Sequence, residues 1–225
     1  MKLNNKTDKK YILAIDTATH KTGLVLIDED NKIVEHKQII FNYETTHFDE
    51  FEFLRFMKCE LKFLKKYNIE KIIMEKQFIT TYTLENSILT LREGHEKIKS
   101  ILEFMFETKV CEVEAQPWKV CCVKELKLVD YCDYKDKNAW VNLFNQIEPD
   151  IELTQDEVDA YFMARFLNHF NQIIKERKTS IIIKTKNWTL IISYDAKRDC
   201  VWDIQKINNN TVQTKQLEDL KPRNN

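Results

Sequence analysis

Four acidic residues of this chain are placed where a folded core would bring carboxylates together. Asp16 ends the first apolar run of the sequence, and Glu75 ends a later one. Both runs have the length and β-branched character of buried strands. Asp156 and Asp159 begin a predicted helix, and their spacing of three puts both on one helix face. A carboxylate is costly to bury without a cation or hydrogen-bond partners.

The chemistry that such a set could support is divalent-metal catalysis. Four converging carboxylates repel one another, and a donor set made only of oxygen suits Mg²⁺, with Mn²⁺ able to substitute. Two such ions about 3.5–4 Å apart would activate a water and stabilise the departing oxygen in phosphodiester cleavage. Taken singly, Asp16 also fits a turn residue, and the helical pair fits first-turn acids that favour the helix dipole.

The surrounding elements predict an α/β protein with a mixed sheet of about five strands, the first three antiparallel, flanked by helices. If the first and fourth strands lie side by side and parallel, Asp16 and Glu75 emerge at the same sheet edge, where ligands gather in α/β folds. Thr154 is the predicted N-cap of the last core helix. The predicted strands are 10–16, 22–28, 32–40, 69–74 and 110–115, and the predicted helices are 47–67, 84–107, 118–128, 136–147 and 155–175.

The chain is predicted to divide into a basic tail (1–9), a core (10–175) and a small antiparallel β appendage with a flexible tail (176–225). The segment 175–225 has eleven Lys/Arg and six Asp/Glu, a local charge of +5. We expect this region to contact a nucleic-acid backbone, with binding that weakens as salt rises.

Composition excludes several classes of protein. Gly23 and Gly94 are the only glycines among 225 residues, which argues against glycine-rich phosphate loops. The apolar runs are shorter than the ~18 residues of a membrane span, and the first ten residues lack the apolar stretch of a signal peptide. Six cysteines without a CxxC pair favour reduced thiols. We therefore expect a cytoplasmic protein without an organic cofactor.

Residues 10–172 resemble a RuvC-type Holliday junction resolvase of the RNase H-like superfamily. The resemblance rests on four segments in a fixed order. They are Ile12-Leu-Ala-Ile-Asp16, Glu75-Lys-Gln-Phe78, Asn86-Ser87 with Leu91 and Gly94, and Asp156-x-x-Asp159-Ala160.

The resemblance implies a Mg²⁺-dependent crossover junction endodeoxyribonuclease of DNA recombination and repair. Asp16, Glu75, Asp156 and Asp159 would be its catalytic, metal-binding acids. Phe78 would lie at the junction centre, although a core Phe is the plain alternative. Such enzymes are homodimers acting on branched DNA, with the helix 84–107 near the dimer interface. The lysines that would contact DNA are Lys76, Lys119 and Lys137, each otherwise a surface lysine.

The sequence also departs from this pattern and leaves alternatives open. Residues 120–137 lack the glycines that the family often has and instead contain Cys121, Cys122 and Cys132. The appendage and the Lys-, Asn- and Ile-rich composition suit a phage or viral member, which would act in the host cytoplasm. One alternative is a related nuclease for flaps, branched DNA or RNA–DNA hybrids. A more distant one is a nucleotide-binding scaffold of the actin-like superfamily, which the opening Ile12–Thr19 also resembles.

Overall fold

The central sheet has five strands, and the computed structural model describes residues 9–18, 21–41, 50–76, 85–124, 136–197 and 200–209. The strands are β1 (Lys10–Thr17), β2 (Lys21–Asp28), β3 (Ile33–Ile40), β4 (Asn68–Glu75) and β5 (Val110–Val113). Their order across the sheet is β3-β2-β1-β4-β5. The antiparallel pairing of β1 with β2 and of β2 with β3 is confirmed, as is the parallel pairing of β1 with β4. β5 joins β4 in parallel.

Helices occupy most of the remaining described chain. None of those within the described ranges is long and apolar enough to cross a bilayer. They are α1 (Glu50–Glu60), α2 (Glu85–Phe106), α3 (Ala115–Lys124), α4 (Lys137–Ile147) and α5 (Gln155–Arg177).

The single helix predicted over 47–67 is wrong in its second half. The α-helix ends at Glu60, and a short 3₁₀ helix covers Lys62–Lys66. The change occurs where the Leu64 amide bonds the carbonyl of Leu61, three residues back. Leu61 and Leu64 are both fully buried, so the apolar spacing that predicted one helix does not distinguish the two forms.

The two faces of the sheet are covered by different helices. Strand alternation sends Leu13, Ile15 and Met74 to one face. This face belongs to a buried cluster with residues of α1 and α2 such as Met57 and Leu102. The opposite face, with buried residues such as Ala14, Val25 and Ile73, is approached by α5.

The contact between α5 and the sheet depends on Gly23 in β2. A Cβ atom at this position would lie 2.3 Å from the carbonyl carbon of Asp156 and 2.5 Å from the amide nitrogen of Glu157. Separations below 3.0 Å are essentially never adopted by real Cβ atoms. Only glycine therefore lets the first turn of α5 come this close to the strand.

The described chain separates into two compact units, residues 1–169 and 170–225, and the division falls within α5. The second unit contains three strands, β6 (Ile181–Lys184), β7 (Trp188–Asp195) and β8 (Cys200–Asn208). They form an antiparallel sheet in the order β6-β7-β8. Its buried residues include Trp188, Leu190 and Ile192, and Asn171 accepts a hydrogen bond from the Val201 amide at 3.2 Å.

We predict that Gly23→Ala lowers the free energy of unfolding by about 1–3 kcal/mol, the usual effect of forcing atoms into a packed contact. Gly94→Ala is the matched control, because nothing lies within 4 Å of a Cβ there and alanine is the better helix former. Urea denaturation measures both variants. Equal effects of the two substitutions would contradict the close approach of α5 to β2.

Candidate metal centre

Asp16 and Glu75 lie in one row of residues across the edge of the sheet. Asp16 pairs with Gly23 of β2, and Gly23 pairs with Gln38 of β3. On its other side β1 pairs with β4, where Ile15 lies opposite Met74. Asp16 and Glu75 are the next residues of these two parallel strands, so they lie side by side at the strand ends. Residues level with each other on paired strands share a face. Both carboxylates therefore leave the sheet on the face that α5 approaches.

The first turn of α5 brings Asp156 to the same edge. Its Oδ2 atom forms an ion pair with Lys21 Nζ at 2.7 Å and accepts a longer hydrogen bond from Gln38 Nε2 at 3.4 Å. Lys21 and Gln38 belong to β2 and β3, so these bonds hold the helix start above the outer strands.

Glu157, the next residue of α5, fixes the helix terminus rather than joining the acids. Its Oε2 accepts hydrogen bonds from the amide and hydroxyl of Thr154, at 2.8 and 2.6 Å. Its Oε1 lies 2.9 Å from Nδ1 of His36 on β3. A glutamate that bonds back to the residue preceding the helix is the reciprocal part of a capping box, and here it is also tied to the sheet.

Two consecutive residues of α3 contact two of the acids. Trp118, which is fully buried, donates from Nε1 to Glu75 Oε2 at 2.9 Å. Lys119 donates from Nζ to Asp159 Oδ2 at 3.2 Å, and its side chain is only 12% exposed.

An aromatic cluster supports this part of α3. The rings of Trp118 and Trp140 lie 5.4 Å apart, and those of Trp140 and Phe162 lie 4.9 Å apart. Lys119 Nζ lies 4.9 Å from the Trp118 ring, within the range of a cation–π attraction. The cluster joins α3, α4 and α5, so the groups that contact Glu75 and Asp159 are held by packed rings.

The electrostatics of Asp16 show that the acids converge. Burial is the largest cause that raises the pKa of Asp16 well above its usual value, and the charges of Glu75, Asp159 and Asp156 raise it further. The nearby charge of Lys119 opposes them. Each of the other three acids is thus close enough to repel the Asp16 carboxylate.

The donors around Asp16 have the chemistry that a hard divalent cation prefers, although within the described residues the group with three ligand atoms no more than 4.8 Å apart is His95, Glu96 and Glu112. The donors around Asp16 are carboxylate oxygens, the ligands that Mg²⁺ and Mn²⁺ prefer. The repulsion that raises the pKa of Asp16 is the unfavourable interaction that a bound cation would relieve.

A second group of possible ligands lies outside this site. The ligand atoms of His95, Glu96 and Glu112 lie within 4.8 Å of one another. His95 and Glu112 belong to α2 and β5, and they are already joined by a hydrogen bond of 2.9 Å.

The remaining predicted site residues have separate positions. Lys76 is exposed directly after β4, and its amide bonds the carbonyl of Val113. Lys137 begins α4, but its side chain lies outside the described residues, as does the whole of Phe78. The roles of these three residues, like the metal-binding role of the acids, stay predictions.

Sequence reasoning did not find the residues that hold the acids in place. Lys21, Gln38 and Trp118 contact the acids directly, and His36 contacts Glu157 at the start of the helix that carries two of them. A signal existed for Gln38 and His36, because they stand two apart on a strand and must share a face. No pattern in the sequence marks Trp118, which contacts Glu75 across 43 positions of the chain.

Comparison with solved structures shows the RuvC-like, RNase H-like fold. The structure of T. thermophilus RuvC in complex with a Holliday junction substrate matches with a TM-score of 0.55 at 12% identity, over 72% of this chain and 94% of that one. The structure of Thermus thermophilus RuvC alone matches with a TM-score of 0.52 at 12% identity, over 71% and 94%. No protein-family model and no curated protein sequence matches the chain.

We predict that Asp16→Asn makes the protein more stable than the parent in EDTA at neutral pH, because it removes a partly desolvated charge that three other acids repel. A raised pKa means that the folded state holds a proton that the unfolded state has lost. The parent therefore loses stability as pH rises from about 3.9, the ordinary aspartate value, through the raised pKa. The advantage of the variant should be larger at pH 8 than at pH 5 in urea denaturation.

Asp150→Asn is the control, because Asp150 is exposed in a turn before α5. It should leave the free energy of unfolding within about 0.5 kcal/mol of the parent. If Asp16→Asn is instead less stable than the parent at pH 8, the carboxylate makes favourable contacts that outweigh the repulsion.

Proposed function

We propose that this chain is a metal-dependent, structure-selective DNA endonuclease that resolves four-way junctions. The observation that carries the proposal is that Glu75, Asp156 and Asp159 all raise the pKa of a half-buried Asp16 at the carboxyl edge of β1 and β4. The RNase H-like fold and the match to a RuvC structure whose partner is a Holliday junction support it.

Mg²⁺, with Mn²⁺ as a substitute, would be held by Asp16, Glu75, Asp156 and Asp159, as two ions per site. When bound, such ions supply an activated water and stabilise the charge on the departing oxygen. The chain's own contribution is to hold the ligands. Trp118 orients Glu75 through a hydrogen bond to one oxygen.

Lys119 would contact the substrate in this proposal, in addition to pairing with Asp159. It forms an ion pair with Asp159 and lies against the Trp118 ring. Its charge therefore stays at the edge of the acid cluster. A scissile phosphate brought to that cluster would gain an attractive cation, which offsets part of its repulsion by the acids.

The DNA contacts away from the acids are proposed from the resemblance. Lys76 extends the edge of β4 and is exposed, which suits a contact to the DNA backbone. Phe78 would stack on bases at the junction centre, and Lys137 would contact the backbone. A homodimer would place two such sites on opposite strands of one junction.

The test is cleavage of four synthetic substrates: a four-way junction, a flap, a linear duplex and an RNA–DNA hybrid. With Mg²⁺ or Mn²⁺ we expect paired incisions in the junction, and with EDTA none. Asp16→Asn should cleave no substrate yet bind the junction with an affinity within about threefold of the parent in Ca²⁺, because the carboxylate serves the metal rather than the DNA. Asp150→Asn is the control and should cleave normally.

The substrate pattern separates the proposal from its nearest rival. Preference for flaps or hybrids over the junction would identify a different nuclease with the same acids. Equal cleavage in EDTA, or full activity of Asp16→Asn, would contradict the proposed use of the four acids.

A further inference from the structure

A partly buried chain of hydrogen bonds lies on the face of the sheet opposite the acids. Thr17 Oγ1 lies 3.1 Å from Nδ1 of His95, whose Nε2 lies 2.9 Å from Glu112 Oε1. Lys99 donates to the other oxygen of Glu112. His95 is only 4% exposed. The chain thus connects β1, α2 and β5 through a histidine with both ring nitrogens engaged.

These bonds account for the short distance between His95 and Glu112 without a metal. A cation between His95 and Glu112 would replace their hydrogen bond and face the ammonium of Lys99. The pKa of Glu112 is lowered to about 2, chiefly by its bond from His95 and also by Lys99, against the opposing effect of burial. Glu112 is therefore an anion, and its Oε1 accepts a hydrogen bond from Nε2 of His95, while Nδ1 of the same ring faces the Thr17 hydroxyl.

This chain of hydrogen bonds begins and ends next to strand positions that carry the acids. Thr17 directly follows Asp16, so its side chain leaves the other face of the same strand end. Glu112 directly precedes Val113, which pairs with Glu75. Because β4 lies between β1 and β5, the connection through His95 passes across the strand that carries Glu75. It therefore ties together the two strands that flank Glu75.

Thr22 provides an internal contrast. It pairs with Thr17 across β1 and β2 and so lies on the same face at the same level. Its hydroxyl is fully buried but has no hydrogen-bond partner among the described residues. Replacing Thr22 by valine thus removes a buried hydroxyl that supports nothing, while the same change at Thr17 breaks the connection to His95.

We propose that His95 is a positioning residue: the hydrogen-bond chain Thr17–His95–Glu112 fixes the ends of β1 and β5, and with them the relative positions of Asp16 and Glu75, the acids proposed to bind a divalent cation. This inference rests on the proposed function, since it assumes that these acids bind metal. Helix α2 would thus act on the proposed metal site through the contacts of His95 with Thr17 and Glu112.

The test compares Thr17→Val, Thr17→Ser and Thr22→Val in the full-length protein. Mn²⁺ affinity is measured from the free-ion EPR signal, and kcat and KM are measured on a synthetic junction. We expect Thr17→Val to weaken Mn²⁺ binding about tenfold, the lower end of effects seen when support behind a metal ligand is lost. Its kcat at fixed, subsaturating Mn²⁺ should fall, with junction KM unchanged. Thr17→Ser and Thr22→Val should stay within about twofold of the parent.

Glu112→Gln is a second variant with nearly the same shape. It removes the charge that orients His95, and we expect Mn²⁺ binding to weaken in the same direction even if Thr17→Val does not fold. Thermal unfolding in EDTA, run on every variant, identifies those that have lost the fold.

The outcomes separate this inference from the function on which it rests. If the parent binds Mn²⁺ and cleaves junctions while Thr17→Val and Glu112→Gln match it, only the positioning role is overturned. The positioning role is also overturned if Thr17→Ser or Thr22→Val loses as much affinity as Thr17→Val, because the effect is then one of packing. If the parent binds no Mn²⁺, both the proposed function and the positioning role fall.

Discussion

Repulsion among carboxylates at one edge of the sheet is the constraint that the rest of this structure must accommodate. Asp16 is half-buried, and both desolvation and the charges of three other acids raise its pKa. Such an arrangement persists only if surrounding contacts hold the acids in place. Lys21 and Lys119 each neutralise one of the acids on α5. The close contact of α5 with Gly23 prevents the helix from retreating without loss of packing.

Contacts on both faces of the sheet hold the acids in place. On one face, packed rings around Trp118 fix the groups that contact Glu75 and Asp159. On the other, His95 connects the strand that ends after Asp16 with the strand beside Glu75. The proposed site is thus supported from both faces. Its ligands belong to two strands and a helix, elements more rigid than loops.

The sequence predicted the sheet and the convergence of the acids because both depend on simple periodicity. Asp16 and Glu75 each end an apolar strand, and parallel pairing of those strands brings them to one edge. The prediction of a single helix over 47–67 was wrong because Leu61 and Leu64 suit an α-helix and a 3₁₀ turn equally well. Trp118, Lys21 and His95 could not be predicted, since their partners are distant in sequence and fixed by the packing of whole helices.

The most direct test of the central claim is the position of Mn²⁺ in crystals of the protein, located by anomalous scattering. The account predicts peaks about 2–2.5 Å from carboxylate oxygens of Asp16 and Glu75, the range of oxygen–cation bonds, with Asp156 or Asp159 completing the coordination. Crystals soaked in Mn²⁺ that show no ion there, or an ion bound instead between His95 and Glu112, would contradict it.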